Sequence, residues 1–261
     1  MLLFLCVGYA AFSTNLTLKA KGNIKDIKTE VDKKVPDDEL LLWIQANNDE
    51  NTLTTLKDKS GNNHNGTLYN FDNTASSGFN NDELILDGVD DYVDLGFKGY
   101  DFQNSISYVV YIKMITITTN EHNIIIGNWY NYTGNRGGGG LYVHSDHRII
   151  YDVFNGENWI TPSTDNIVTT DTYYTIVGTF ENNSAKIYVD GELKNEETTP
   201  DNALGISDGP VRIGGFTGNT ENYLHHFGNF AIKEAMIYDR ALTQEEVKLI
   251  TEGFERKYKN S

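Results

Sequence analysis

The chain has 261 residues, of which 39% are hydrophobic and 12% are aromatic. This length and this apolar share suit one sizeable core, as in a single all-β sandwich domain. Lys and Arg number 21 against 37 Asp and Glu, a formal charge of -16, which argues against nucleic acid or an anionic membrane surface as a partner. The single cysteine, Cys6, excludes an intramolecular disulfide, so stability must come from packing or from a bound metal.

The N-terminal segment, residues 1–36, is predicted to be a truncated signal or anchor segment followed by a linker. Met1–Phe12 is apolar but too short to span a bilayer, and a buried first strand is the alternative interpretation. FSTNLTLKAKGNIKDI, which follows, resembles the segment after the N-terminal anchor in surface proteins of Gram-positive bacteria. That resemblance implies an extracellular or cell-surface location, with the membrane contacted only through such an anchor. Residues 37–261 are predicted to form one domain.

The first stretches of the domain combine a short strand with a polar loop. Leu40–Ile44 is predicted to be an inner strand, with Trp43 in the core because its neighbours are aliphatic. In the loop that follows, Asp58, Ser60 and Asn62 alternate, so their oxygens could converge on one cation. The alternative is an Asx-rich turn that satisfies its own backbone.

The stretch from Asp82 to Gly96, DELILDGVDDYVDLG, places two strand-like runs on either side of an acidic turn. Asp87 and Asp90 crowd this turn, and such carboxylates repel one another unless a cation or backbone N–H groups offset their charge. We therefore predict a Ca²⁺ site that uses Asp58, Ser60, Asn62, Asp87 and Asp90. A solvated hairpin corner without metal is the alternative.

Five segments in order resemble one family. They are DKSGNNHNGTL, DGVDDYVDLG, KIYVDGELK, VRIGG and AIKEAMIYDRALTQEEV, and the resemblance extends over about residues 40–253. Each is similar to an element of the laminin-G-like, concanavalin A-like lectin/glucanase domains of secreted or surface proteins. The resemblance implies an all-β, two-sheet antiparallel jelly-roll sandwich with one short C-terminal helix. Lys233 stands where the family commonly has Asp, which puts any role of that carboxylate in doubt.

Residues 128–140, NWYNYTGNRGGGG, form a Gly-rich loop between predicted strands and are the predicted ligand site. Trp129, Tyr130 and Tyr132 could stack on a sugar ring, and Arg136 or Asn131 could form hydrogen bonds with it. Trp159, in a later turn, completes the predicted ligand-binding set. The alternative is that Trp129 fills the rim of the sandwich. His144, His147 and the His225-His226 pair invite a metal interpretation, but without a paired third ligand they are predicted to be solvated.

The C-terminal half shows clear local signals. Residues 173–180 and 185–189 alternate as half-buried strands, and Asp190-Gly191 predicts a tight hairpin turn after them. Thr243 and Glu246 form a capping-box pattern. Val247, Ile250 and Phe254 then mark the buried stripe of a short helix.

Catalytic motifs are missing from the sequence. No alternating carboxylate run of the glycoside hydrolase kind, G-x-S-x-G elbow, H-E-x-x-H helix or phosphate loop is found. We therefore expect a non-enzymatic surface module that binds a glycan or glycoconjugate. One alternative is a structural or adhesive module, cellular or on a phage virion, that binds a surface protein. The other is a glycan-cleaving hydrolase or lyase on the same fold, which would need paired carboxylates about 5 to 10 Å apart.

Overall fold

The computed structural model describes residues 35–98, 105–119, 122–132, 135–155, 157–199, 209–217 and 224–259. In these ranges the chain forms β-strands and one helix. The strands are β1 Leu40–Gln45, β2 Thr55–Leu56, β3 Gly66–Tyr69, β4 Gly78–Asn80, β5 Glu83–Asp87, β6 Tyr92–Lys98, β7 Ile106–Thr116, β8 His122–Gly127, β9 Tyr130–Tyr132, β10 Asn135–Gly137, β11 Gly139–His144, β12 Ile149–Phe154, β13 Trp159–Ile160, β14 Tyr173–Glu181, β15 Ser184–Val189, β16 Glu192–Thr198, β17 Pro210–Ile213, β18 Phe216–Thr217, β19 Leu224–His225 and β20 Asn229–Tyr238. The helix, α1, is Gln244–Tyr258.

The strands build two large antiparallel sheets. Sheet I has the order β16-β15-β14-β7-β20-β5-β4, with β1 also paired to β20. Sheet II has the order β13-β12-β11-β8-β17-β6-β3-β2. Two-stranded ladders, β9 with β10 and β18 with β19, lie outside both sheets.

One hydrophobic core lies between the two sheets, because alternate residues of each strand point inward. On β12, Ile149, Tyr151 and Val153 join this core. The two inner faces touch closely, since a Cβ on Gly178 of β14 would lie 2.7 Å from the Tyr151 ring. The predicted two-sheet sandwich with one C-terminal helix is confirmed.

Helix α1 covers the outer face of sheet I. The capping box between Thr243 and Glu246 is formed as predicted, and Val247, Ile250 and Phe254 are buried. These side chains pack in a second hydrophobic cluster with outward residues of sheet I, which include Val109, Tyr111, Val177, Met236 and Tyr238. The prediction that residues 173–180 are half-buried is therefore wrong, because the helix buries the second face of β14 as well.

A buried polar network holds the end of this helix. Glu234 of β20 is 1% exposed, and its carboxylate accepts hydrogen bonds from Trp43 Nε1, Lys257 Nζ and Tyr258 OH, each at 2.7 Å. Gln45 Nε2 donates to it as well, at 3.1 Å. Trp43 is itself buried, as predicted.

Two turns differ in whether the local sequence predicted them correctly. Asp190 and Gly191 have φ values of 50° and 81°, which fits the predicted tight hairpin between β15 and β16. The acidic turn at residues 88–91 is different, because β5 belongs to sheet I and β6 to sheet II. The hairpin interpretation of that turn is therefore wrong, since the turn is a corner between two sheets.

The described chain begins at Val35, and residues 1–34 of the predicted leader lie outside it. Val35 packs beside the helix cluster, and the Pro36 carbonyl accepts a hydrogen bond from Tyr238 OH at 2.9 Å. Contacts with the domain thus begin two residues before position 37. In the described ranges, no helix combines the length and apolar character that a membrane crossing requires.

Candidate functional site

The outer face of sheet II carries a row of residues that face one another across five neighbouring strands. Asp152 of β12 is opposite Gly140 of β11, which is opposite Gly127 of β8. Gly127 is opposite Arg212 of β17, and Arg212 is opposite Asp94 of β6. Because their chain neighbours point into the core, these residues point outward. The row therefore places a carboxylate at each end, an arginine beside one of them and two glycines between.

An exposed aromatic and charged patch lies at one end of this row. Tyr69 and Tyr92 are opposite each other on β3 and β6, and their rings stack with centroids 4.8 Å apart and planes 7° apart. The Arg212 guanidinium lies 5.1 Å from the Tyr92 ring, and its Nε is 3.4 Å from Asp94 Oδ2. Tyr69 is 42% exposed. We call Tyr69, Tyr92, Asp94 and Arg212 the tyrosine–arginine patch.

Burial raises the pKa of the Tyr92 phenol, and the nearby Arg212 charge lowers it in part. The phenol is therefore neutral at physiological pH and can donate one hydrogen bond. Within the patch the charges of Arg212 and Asp94 cancel. The arrangement presents aromatic surface, a hydroxyl group and a charge-balanced ion pair to solvent.

Trp129 fills the glycine gap in the middle of the row. A Cβ on Gly127 would lie 2.4 Å from Trp129 Cζ3, and one on Gly140 would lie 2.8 Å from Trp129 Cη2. The indole is thus seated directly on two residues without side chains. It is 6% exposed and packs with Ile124, Tyr142 and Ile150. The indole is therefore packed against the outer face of sheet II, and little of its ring is open to solvent.

Asp152 lies next to the indole, within hydrogen-bonding distance of it. Its carboxyl group accepts hydrogen bonds from the Tyr142 and Trp129 side chains, while Oδ1 is buried without a hydrogen-bond partner. Burial raises the pKa of Asp152 to about 7, against the lowering effect of those two hydrogen bonds. This carboxyl group therefore changes its charge near neutral pH.

The other predicted ligand residues divide into two groups. The backbones of Tyr130, Tyr132 and Arg136 lie in the β9–β10 ladder, but their side chains lie outside the described part of the structure. Trp159 is 37% exposed and stands opposite Phe154, with the ring centroids 5.1 Å apart. Because Phe154 follows Asp152 by two residues, Trp159 belongs to the same outer face.

The first predicted metal loop is engaged in hydrogen bonds. Asp58 accepts from the backbone N–H groups of Trp43 (3.0 Å), Ser60 (2.8 Å) and His64 (3.0 Å). Asn62 donates through Nδ2 to the carbonyls of Leu40 (2.8 Å) and Leu41 (3.0 Å). Ser60 Oγ contacts Asp58 Oδ2 at 2.8 Å. These contacts are those of an Asx-rich turn, in which the Asp58 carboxylate accepts from N–H groups and Asn62 presents donors.

The second predicted metal loop gathers three carboxylates. Asp87, Asp90 and Asp91 each offer an oxygen, and these atoms lie within 4.8 Å of one another. Asp58 is not a member of this group. Among the described histidines, His144 Nδ1 lies 2.7 Å from Asp146 Oδ1, and His147 Nδ1 lies 2.8 Å from the Val168 carbonyl oxygen. The His226 ring lies 5.1 Å from that of His122, whereas the His225 side chain is outside the described residues.

The sequence predictions missed the tyrosine–arginine patch. A signal for it exists, because each patch residue alternates with inward aliphatic residues, as in Y-V-D-L and V-R-I. Alternation shows that these side chains point outward. It does not show that β3, β6 and β17 are neighbours.

The family model for the concanavalin A-like lectin/glucanases superfamily, Laminin_G_3, matches residues 87–248. The chain therefore belongs to this family of two-sheet lectin-like domains. No curated protein matches it.

Solved structures share the fold at low sequence identity. The botulinum neurotoxin serotype D binding domain matches with a TM-score of 0.59 and 19% identity over 84% of this chain. A Trypanosoma rangeli sialidase matches with a TM-score of 0.63 and 12% identity over 90% of this chain. The chain spans 51% of the toxin domain and 39% of the sialidase. Binding domains and glycan-cleaving enzymes thus both carry this fold.

Proposed function

We propose that this protein is an extracellular surface module that binds a glycan or glycoconjugate through the outer face of sheet II. The observation that carries the proposal is the exposed Tyr69–Tyr92 stack beside the Arg212–Asp94 ion pair. Sugar-binding surfaces need flat apolar area for the ring and a few fixed polar groups for its hydroxyls. The tyrosine–arginine patch supplies both on one sheet face.

The charge of the patch favours a neutral sugar. Arg212 is already paired with Asp94, so the patch offers no excess positive charge to a sugar carboxylate or sulfate. The chain as a whole carries -16, which also disfavours acidic ligands. The class of ligand that fits this patch is therefore a neutral, hydroxyl-rich glycan.

Binding without cleavage is supported by the spacing of carboxylates on this face. Asp94 and Asp152 are the outward carboxylates on the described strands of sheet II, and they are separated by four strand steps. At about 4.8 Å per step this is roughly 19 Å. Retaining and inverting glycosidases need about 5 to 9.5 Å between their two carboxyl groups. The pair is therefore too far apart for that chemistry.

A glycan array probed with the full chain tests the proposal. Wild type should retain neutral glycans, and Tyr69→Ala should weaken retention at least about tenfold, as expected for loss of an aromatic anchor. Leu193→Ala is the matched control, since Leu193 is 43% exposed but lies on sheet I. Its binding should equal that of wild type.

Two results would contradict the proposal. Wild type that retains no glycan would favour the adhesive, protein-binding alternative. Retention that survives Tyr69→Ala but is lost in Trp159→Ala would move the site to the ligand-binding residues predicted from the sequence.

A further inference from the structure

Three histidines meet on the outer face of sheet II. His122 begins β8 and His144 ends β11, and the two residues are opposite each other in the ladder. Both point outward, because Val143 beside His144 belongs to the core between the sheets. The centroid of the His122 ring lies 6.3 Å from that of His144 and 5.1 Å from that of His226. The fold therefore gathers three imidazoles that are far apart in the sequence.

His226 reaches this place from the segment between β19 and β20. Its carbonyl accepts a hydrogen bond from the Ile124 N–H at 3.1 Å, and Phe227 forms an isolated bridge with Ile124. The φ value of His226 is 60°, in the left-handed region that residues other than glycine seldom adopt. Main-chain contacts with β8 thus hold the His226 ring beside the His122 ring.

A carboxylate orients the ring of His144. His144 Nδ1 lies 2.7 Å from Asp146 Oδ1, and Arg148 Nε lies 2.8 Å from the other carboxylate oxygen, Oδ2. The Asp146 N–H is farther from Nδ1, at 3.3 Å, so the carboxylate is the partner that decides the tautomer. Nδ1 then carries the proton, and Nε2 carries the lone pair that a metal ion binds. Carboxylate–histidine pairs of this kind orient the imidazole ligands of metal sites.

The spacing of the rings suits one metal ion. Zn²⁺ binds imidazole nitrogens at about 2.0 to 2.1 Å, so two rings on one tetrahedral ion have centroids roughly 5 Å apart. The separation of the His122 and His226 rings agrees with this value. The His122 and His144 rings, at 6.3 Å, are about 1 Å farther apart than that. All three side chains are half-buried, so a small change of side-chain torsions closes this difference.

We propose that His122, His144 and His226 bind one Zn²⁺ ion on the outer face of sheet II, with Asp146 as a positioning residue. Imidazole ligands select transition metals such as zinc over hard cations, and the formal charge of -16 attracts cations to the protein. Three protein ligands leave the fourth position of the ion to water. The ion would fasten β8 and β11 of sheet II to the segment that leads into β20 of sheet I. The inference does not depend on the glycan-binding proposal.

Calorimetric titration of the full chain with ZnCl₂ tests the site. All proteins carry Cys6→Ser, because a thiol also binds zinc. We expect one ion per chain, and millimolar CaCl₂ in the buffer should leave the titration unchanged, since hard cations prefer oxygen ligands. In thermal unfolding, ZnCl₂ at a hundredfold excess over Kd should raise the midpoint by roughly 5 to 10 °C, and EDTA should reverse the rise. No binding, or binding that CaCl₂ removes, would overturn the proposal.

Matched variants locate the ion. His226→Asn should abolish zinc binding and His147→Asn should leave it unchanged. The two positions are comparable because their φ values are 60° and 72°, which Asn tolerates, whereas His147 Nδ1 contacts the Val168 carbonyl oxygen at 2.8 Å. His122→Ala should also abolish binding, and His226→Asn decides the matter if His122→Ala does not fold. Asp146→Ala should weaken binding by about 10- to 100-fold at unchanged stoichiometry. Binding that survives His226→Asn, or that is lost equally in His147→Asn, would overturn the proposal.

Discussion

The outer faces of the two sheets are built from the same antiparallel ladders but carry opposite kinds of side chains. Sheet I presents aliphatic and aromatic residues that helix α1 covers, and the Glu234–Lys257 ion pair beside them is 1% and 4% exposed. Sheet II presents tyrosines, an arginine and carboxylates, and the side chains of its Arg212–Asp94 pair are 13% and 26% exposed. Within one fold, the residues at the outward positions of the strands thus decide which face the helix buries and which remains open to solvent.

The largest expected effect on the free energy of unfolding is at the outer face of sheet I, which helix α1 covers. Glu234→Ala leaves the Lys257 ammonium buried without its carboxylate, and it removes the acceptor of Trp43 Nε1 and Tyr258 OH. Loss of one member of a buried ion pair costs about 3 to 5 kcal/mol. Urea unfolding should show this loss in the free energy of unfolding.

Two variants complete that experiment. Glu234→Gln keeps the shape and one acceptor, so it should lose less than Glu234→Ala. Asp94→Ala breaks the Arg212–Asp94 ion pair on the outer face of sheet II. It should lower the free energy of unfolding by about 1 kcal/mol or less, because ion pairs that water can reach are screened. Equal losses for Glu234→Ala and Asp94→Ala would show that burial does not separate the two faces.

The next prediction compares two aromatic residues on the outer face of sheet II. Trp129 is 6% exposed and Tyr69 is 42% exposed. Trp129→Ala should therefore lower the free energy of unfolding by about 3 kcal/mol through lost packing, whereas Tyr69→Ala should cost less than about 1 kcal/mol. Chemical denaturation of both variants measures this difference. A Trp129→Ala protein as stable as wild type would restore that indole as a ligand contact.

The last effect, and the smallest per step of the experiment, is the change of stability with each pH unit. Burial raises the pKa of Asp152 to about 7 from a usual value of 3.8, so between those values the folded protein holds a proton that the unfolded chain releases. The free energy of unfolding should therefore fall as pH rises through this window, by up to about 1.4 kcal/mol per pH unit from this group. Asp91 acts in the same direction, with a pKa raised to about 6 by burial.

Asp152→Asn isolates the contribution of Asp152. Between pH 6 and 7, above the pKa of Asp91, the variant should show a flatter dependence of unfolding free energy on pH than wild type. Urea titrations at pH 5, 6, 7 and 8 would measure both slopes. Identical slopes would mean that Asp152 is ionised throughout this range.

Much of the fold could be predicted from the sequence, because it rests on local rules. The capping box at Thr243, the hairpin turn at Asp190-Gly191 and the alternation of β15 depend on residues within a few positions of one another. The ordered family segments then fixed the fold class. Even so, the sequence could not show that residues 88–91 join two sheets, since strand pairing is set by partners far along the chain.

The candidate sites depended on tertiary structure far more. By itself the sequence determined that Tyr92, Asp94 and Arg212 point outward and that Asp87, Asp90 and Asp91 are crowded. Only the fold decided that β3, β6 and β17 lie side by side, that two glycines on neighbouring strands make a seat for Trp129, and that Asp58 is occupied by β1. The physical reason is that alternation and turn chemistry act over a few residues, whereas a binding surface is assembled across strands whose order the whole core determines.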